Sequence, residues 1–174
     1  NLFYSHSNID ELFNSMNSEL SILTQWFASN KLSLNAKKTK YTLFHPSRKK
    51  NVTQLKLPYL FINASPINRE TAIKFLGVFL DEHLSWKYHI NTIENKVAKS
   101  IGVLYRARLH LNKLCLRQIY FSFIHCYLNY ANIAWASTHK SKLMHLYRQQ
   151  KHASRIIFGK DRFTHAKPLL RKLN

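Results

Sequence analysis

The chain has 174 residues, enough for one domain or two small pieces of a larger one, and its 45% hydrophobic content suits a globular chain rather than a disordered one. Its formal charge of +19 points to a polyanionic partner, of which nucleic acid is the commonest large one. The sequence contains no run of about 18 uncharged apolar residues, which excludes an apolar membrane-spanning helix, and no basic segment followed by an apolar core opens it as in a signal peptide.

Three glycines and four prolines favour long helices over a glycine-rich sandwich. Ser7 is the first expected cap, with Asp10 and Glu11 at the positive end of the helix dipole. Apolar residues then recur at Ile9, Leu12, Phe13, Met16, Leu20, Leu23 and Phe27, one helical face that should end near Asn30. Residues 40–44 alternate like a strand, and 45–53 (HPSRKKNVT) read as a polar loop. Residues 55–63 and Pro66-Ile67 read as a β-hairpin turning at Asn63-Ala64-Ser65. Residues 73–80 read as one further strand, apolar on both faces around Gly77.

After Asp81 the period becomes helical. Ser85 is the expected cap of a helix with the stripe Trp86, Ile90, Ile93, Val97, Ile101 and Leu104. Asn112 should cap a second helix, apolar almost all round, with its polar residues at Gln118, Ser122, His125, Asn129 and Asn132. That pattern predicts a helix central to a bundle. Ser141 should cap a third, stopping after Phe158 at Gly159, and Thr164 a short last helix with Pro168 near its first turn. The fold class expected is therefore α+β: a helix with a small antiparallel sheet, then an all-helical bundle, divided as 1–82 and 83–174. Cys115 and Cys126 lie about 16 Å apart along a straight helix, too far to bridge, and read as buried reduced thiols of an intracellular protein.

The charge is uneven. Residues 95–160 contain no Asp or Glu but twelve Lys and Arg. Lys96, Lys99 and Arg106 fall on the outer face of the helix that carries the Trp86 stripe. Arg148, Lys151, His152 and Arg155, three and four apart, form one basic face of a later helix. Such faces can track a phosphate backbone, although a solvated amphipathic helix shows the same pattern.

Two stretches carry a more specific pattern. Residues 26–44, WFASNKLSLNAKKTKYTLF, hold Asn30, Leu34, Asn35, Lys38 and Thr39 in a Trp-x3-Asn-Lys-Leu-x-Leu-Asn-x-x-Lys-Thr arrangement. Residues 75–90 follow Phe-Leu-Gly-Val-x-Leu-Asp-x-x-Leu-x-Trp-x-x-His-Ile. Together they resemble the last two palm motifs of reverse transcriptases (RNA-directed DNA polymerases, nucleotidyltransferases) from non-LTR, LINE-type, jockey-like retrotransposons. Weaker likeness continues at Leu146 to Ile157 and at Thr164 to Leu170.

The resemblance implies the end of a palm followed by a thumb. It places Asn1 just after the family's Ala-Asp-Asp-Thr motif, so the chain is expected to be cut at both ends and inactive alone. The family's lysine in the first motif approaches the incoming nucleotide's phosphates, which makes Lys38 a latent general acid; a solvent-facing Lys in the cluster Lys37, Lys38, Lys40 is the plainer reading. Phe75, Leu76 and Gly77 match the hairpin that supports the primer terminus.

None of the eight acidic residues forms a pair in the setting of a two-metal site. No His-x3-His or Cys-x-x-Cys spacing occurs either, so no metal ligands are assigned. Mg²⁺ is expected only in the intact polymerase, and no cofactor for this chain. The implied partners are RNA–DNA or DNA duplex and the remainder of the polymerase polypeptide, with no membrane, in the nucleus or cytoplasm. The alternative is a non-enzymatic basic nucleic-acid-binding or interaction module derived from a retrotransposon.

Overall fold

The computed structural model describes residues 1–46 and 57–173. The chain is α+β, and its C-terminal region is helical. It divides into two compact units: Asn1–Lys74 with Asp81–Leu84, and Phe75–Leu80 with Ser85–Asn174. The loop expected at 45–53 and the start of the hairpin expected at 55–63 fall largely outside the described residues.

The first unit is built on α1 (Ile9–Ser29). Asn8, not Ser7, caps it: Asn8 has extended backbone angles and its Oδ1 accepts the Asp10 N–H at 2.9 Å. Asn30 closes the helix, as the periodicity predicts, and Lys31 turns away with a positive φ of 56°. Phe13 and Leu20 on the inner face are buried with Leu60, Ile62 and Ile67. Asn17 fixes the chain that packs there, because its side-chain amide donates to the Tyr59 carbonyl and accepts the Phe61 N–H, both at 3.0 Å.

The sheets are small. β1 (Lys40–Tyr41) is shorter than the strand expected at 40–44 and runs parallel to β4 (Asn68–Arg69), with Lys40 opposite Asn68 and Tyr41 opposite Arg69. Beyond Tyr41 the Thr42 hydroxyl takes over, donating to the Glu70 carbonyl at 2.7 Å. β2 (Phe61–Ile62) and β3 (Ser65–Pro66) form the expected antiparallel hairpin. Its turn is Asn63-Ala64, with φ of 49° and 59°.

The single strand expected at 73–80 is instead a hairpin of β5 (Ala72–Phe75) and β6 (Val78–Asp81). Leu76 and Gly77 turn it with φ of 44° and 82°, the left-handed pair of a tight hairpin turn. Apolar residues on both sides of Gly77 hide the reversal, because a Leu occupies the first left-handed position.

The second unit is a helical bundle: α2 (Lys87–Ala107), α3 (Lys113–Tyr120), a π-helical segment (Phe121–His125), α4 (Cys126–Asn129), α5 (Asn132–Trp135), α6 (Lys140–Phe158) and α7 (Ala166–Leu173). α2 packs on α6, α6 on α7, and the run from α3 to α4 lies against α2. The core joins Ile90, Ile93, Val97, Ile101 and Leu104 of α2 to Leu116, Tyr120, Ile124, Leu146, Ala153, Ile156 and Ile157. Asn112 caps α3 by accepting the Cys115 N–H at 3.0 Å, and Gly159 ends α6 at φ 60°.

Three other expected caps, Ser85, Ser141 and Thr164, differ. His139 precedes α6 without a side-chain cap bond, and Trp86 precedes α2 in the left-handed region at φ 62°. Ser85 retains one weak link, its hydroxyl accepting the Lys87 N–H at 3.4 Å. Thr164 does not cap α7, which starts at Ala166; its carbonyl accepts from Arg155 instead.

The helix expected to be central is neither continuous nor fully covered. Leu116, Tyr120 and Ile124 are spaced by four, and each such step drifts about 40° around an α-helix. The wider π turn at Phe121–His125 takes up part of that drift. The run then breaks at Tyr130, and Ala131 is left-handed at φ 50°. Only one side packs, so Leu114, Phe123 and Ile133 remain exposed. The thiols are likewise not buried: Cys126 is exposed, donating to the Ser122 carbonyl at 2.8 Å, and Cys115 is half-buried.

The Asn63-Ala64 turn gives a local test. An L-residue with a Cβ pays about 1 kcal/mol or more in the left-handed region, and Asn-Gly is the favoured pair for this turn. Ala64→Gly should therefore raise stability by about 0.5–1 kcal/mol in chemical denaturation, because Ala64 is exposed and loses no packing.

Candidate nucleic-acid interface

The acid-free span has a structural consequence: its cations cannot pair with local carboxylates. Six of them turn to carbonyls and aromatic rings. Arg117 Nε donates to the Leu173 carbonyl at 2.8 Å, Arg155 Nε to the Thr164 carbonyl at 2.8 Å, and Lys142 Nζ to the Ser85 carbonyl at 2.7 Å. Arg108 stacks on Tyr105 at 3.9 Å, Lys151 lies over Tyr147 at 4.5 Å, and Lys96 over Tyr127 at 5.0 Å. Such pairs contribute about 0.5–1 kcal/mol each at exposed sites and hold the cation at a fixed angle.

The predicted contact residues divide accordingly. Lys99, Arg106 and Arg148 are exposed, on faces of α2 and α6 turned away from the core. Lys96 is exposed and Lys151 half-buried, and each ammonium lies over a tyrosine ring. Arg155 shares the Arg148 face by spacing, yet its guanidinium is half-buried and ties α6 to the approach to α7. It is a clamp of the fold as well as a cation. The half-exposed Tyr105 and Tyr147 beside Arg108 and Lys151 add flat apolar surface next to charge, a pairing that suits nucleic acid, whose bases stack and whose phosphates attract.

The second motif folds around two side chains that sequence reasoning did not single out for this role. Tyr130, exposed at the break after α4, donates its hydroxyl to the Leu76 carbonyl at 2.6 Å. Its ring lies where a side chain on residue 77 would go: a Cβ on Gly77 would sit 3.2 Å from the Tyr130 ring. The close approach that Gly77 permits is thus by a side chain, not by the backbone contact its glycine suggests. Phe75 is half-buried, and Leu76 at the turn is exposed.

His89 is the second. It is buried, accepts the Phe79 N–H on Nδ1 at 3.3 Å, and lies edge-on to Trp86 and Trp135. The bond from Phe79 fixes the tautomer with the proton on Nε2. Burial, and then the charge of Lys96, hold its pKa below the usual 6.5. Trp135 in turn donates its indole N–H to the Tyr130 carbonyl at 2.9 Å, so His89, Trp135 and Tyr130 support the hairpin tip as one connected group.

In the first unit the other motif is organised by Asn35. Its side chain accepts the Lys38 N–H at 3.1 Å, and its carbonyl accepts the Lys38 and Thr39 N–H groups and the Thr39 hydroxyl. The Asn-x-x-Lys-Thr spacing therefore describes one closed turn. Lys38 itself is exposed at the end of it. Nearby cations are partly used: Lys40 pairs with Glu70 at 2.7 Å and Arg69 with Glu82 at 2.9 Å. Among the described residues, the grouping that could hold a cation is His45, Glu82 and His83. The sequence gives little sign of it, since His45 is distant in the chain from the other two.

Gly77→Ala should lower stability by about 1–2 kcal/mol, from the left-handed φ, with crowding against Tyr130 in addition. The cost should be partly relieved in a Tyr130→Ala background, measured as a double-mutant cycle by denaturation. His89 predicts a pH effect of defined sign. The unfolded chain takes up this proton near pH 6.5, whereas the folded chain does so only at lower pH. The stabilising contribution is complete above the unfolded pKa and is lost as pH falls through the lower folded pKa. Between about pH 7 and pH 5, His89→Gln should show a shallower loss of stability than the parent chain.

Compared with family models, curated proteins and solved structures, the chain matches none.

Proposed function

We propose that this chain is the C-terminal palm and thumb part of a non-LTR retrotransposon reverse transcriptase and that it grips RNA–DNA or DNA duplex through its helical unit. The observation that carries the binding reading is the exposed set Lys99, Arg106 and Arg148, three cations with no acidic residue anywhere in residues 95–160 to offset them. Backbone phosphates supply the missing counter-charge, and the contacts carry no base information.

The motif pattern supports the polymerase reading. In it, the turn at Leu76-Gly77 faces the primer end, and Lys38 stands at the nucleotide's phosphates in the intact enzyme. The exposed apolar residues of the first unit, among them Ile22, Trp26, Leu32 and Tyr59, suit contact with the rest of such a polypeptide. Among the described residues no helix is long and apolar enough to cross a membrane. A non-enzymatic module derived from a retrotransposon uses the same faces for the same duplex, and differs in having no polymerase partner.

Salt dependence tests the reading. The chain should bind duplex without sequence preference at micromolar concentration in low salt, measured by fluorescence anisotropy, and the affinity should fall steeply as salt rises. Lys99→Ala, Arg106→Ala and Arg148→Ala together should reduce the slope of log K against log salt by about 2–3. These residues anchor nothing in the fold, so a folding defect does not confuse the result. Absence of binding at low salt, or an unchanged slope in the triple variant, overturns the proposal.

A further inference from the structure

We infer that His45, Glu82 and His83 form a binding site for one zinc ion, independent of the nucleic-acid reading and held within the first unit. The ligand atoms of these three side chains all lie within 4.8 Å of one another. His45 Nε2 is 3.8 Å from Glu82 Oε2, and His83 Nε2 is 3.8 Å from Glu82 Oε1. Those separations are too long for hydrogen bonds. They approach the ~3.4 Å that separates two ligand atoms sharing a tetrahedral zinc at about 2.0–2.1 Å, and with all three ligand atoms within 4.8 Å of one another, side-chain rotation rather than backbone movement is what closing the site asks for.

The proton positions favour a metal. His45 Nδ1 lies 3.3 Å from the Pro46 carbonyl, and His83 Nδ1 lies 3.1 Å from the His45 carbonyl. A carbonyl only accepts, so in the neutral form of each ring the proton belongs on Nδ1, and Nε2 then presents its lone pair toward Glu82. Imidazoles that bind zinc are oriented in this way, with the far nitrogen donating to a backbone carbonyl.

The strongest sign is His45. Its side chain is only 7% exposed, and its Nε2 is sealed from solvent with no hydrogen-bond partner. A buried lone pair without a donor is costly, and a cation beside it removes the cost.

The backbone holds the three in place. The His45 N–H donates to the Glu82 carbonyl at 3.0 Å, and the Glu82 N–H to the Thr71 carbonyl at 2.9 Å. Leu84 N–H closes the turn onto Asp81 at 2.8 Å, which presents Glu82 and His83 side by side. Arg69 donates to Glu82 Oε2 at 2.9 Å and orients the carboxylate, leaving Oε1 on the His83 side. Two imidazoles and one carboxylate suit zinc, whereas Mg²⁺ and Ca²⁺ prefer oxygen. Three protein ligands leave a fourth position to water. The nearby guanidinium lowers the site's net negative charge, so zinc here clips two distant chain segments together more weakly than a site with two carboxylates.

The test uses the full chain and Zn²⁺ alone, in competition with a chromophoric chelator. One equivalent should bind, with affinity falling in acid as protons compete with the ion for its ligands. His83→Ala, which removes the most exposed ligand, should weaken binding at least about tenfold. His6→Ala, in the exposed His6–Glu11 pair, should not change it. Co²⁺ in the unaltered chain should give a tetrahedral visible spectrum, a readout that needs no variant to fold. A cluster that is only ion-paired takes up no stoichiometric zinc; that result, zinc uptake indifferent to His83→Ala, or a Co²⁺ spectrum without tetrahedral character overturns the site.

Discussion

Between residues 95 and 160 the chain offers no carboxylate, and the helical unit is organised around that lack. In most proteins a surface cation meets a nearby acid, and the pair is worth little. Here Arg117, Lys142 and Arg155 use their charge on backbone carbonyls, where they fasten the end of α7, the start of α2 and the turn after α6. Glu94, just outside the span, is the exception: it receives His145 at 3.2 Å, and its carbonyl receives Gln149, joining α2 to α6. Cations that stabilise the bundle in this way are not available to a polyanion on equal terms. Those without such duty are, and the distinction decides which substitutions report on binding.

The hairpin tip shows a different economy. Leu76, Leu84, Trp86 and Ala131 all adopt positive φ without being glycine, and each such residue costs about 1–2 kcal/mol of strain. Strain of that kind persists only where packing over-determines it. At Leu76 the Tyr130 hydroxyl takes the turn carbonyl; at Trp86 the indole reaches the core beside His89. The Trp-x-x-His spacing of the second motif thus has a structural reason. Trp86 stands in the left-handed region immediately before α2, and His89, one turn later, takes up the Phe79 N–H.

The sequence shows most where one period governs. The α1 and α2 faces follow directly from apolar spacing, and Asn30, Asn112 and Gly159 are legible as helix ends. It misleads where two signals coincide. Apolar residues on both sides of Gly77 mask a reversal at Leu76, and the apolar run after Asn112 reads as one central helix although a π segment and a break at Tyr130 divide it. The α1 cap slips by one residue because Ser7 and Asn8 are both competent in type, and Asn8, in extended backbone, takes the role. The basic faces were legible as spacing, but the diversion of Arg155 to a carbonyl depends on residues that only the tertiary fold supplies. His45 and Glu82 are further still from legible: they meet through backbone bonds across the chain.

The motif residues themselves fall into two physical classes. Asn35, Thr39, Gly77, Trp86 and His89 shape backbone: they close a turn, admit a ring or fill a core. Lys38 and Leu76 instead face outward and satisfy little within their own unit. Residues of the first class are fixed by folding whether or not any reaction follows, so a resemblance carried mainly by them speaks first for a shared local fold. Residues of the second class have no comparable structural reason for their identity. An exposed Lys at the end of a closed turn and an exposed Leu at a strained hairpin tip gain nothing from the fold that another side chain would not. Exposure alone does not name what they meet, since singly exposed side chains are ordinary; under the proposed function the one would meet a phosphate and the other a nucleotide end.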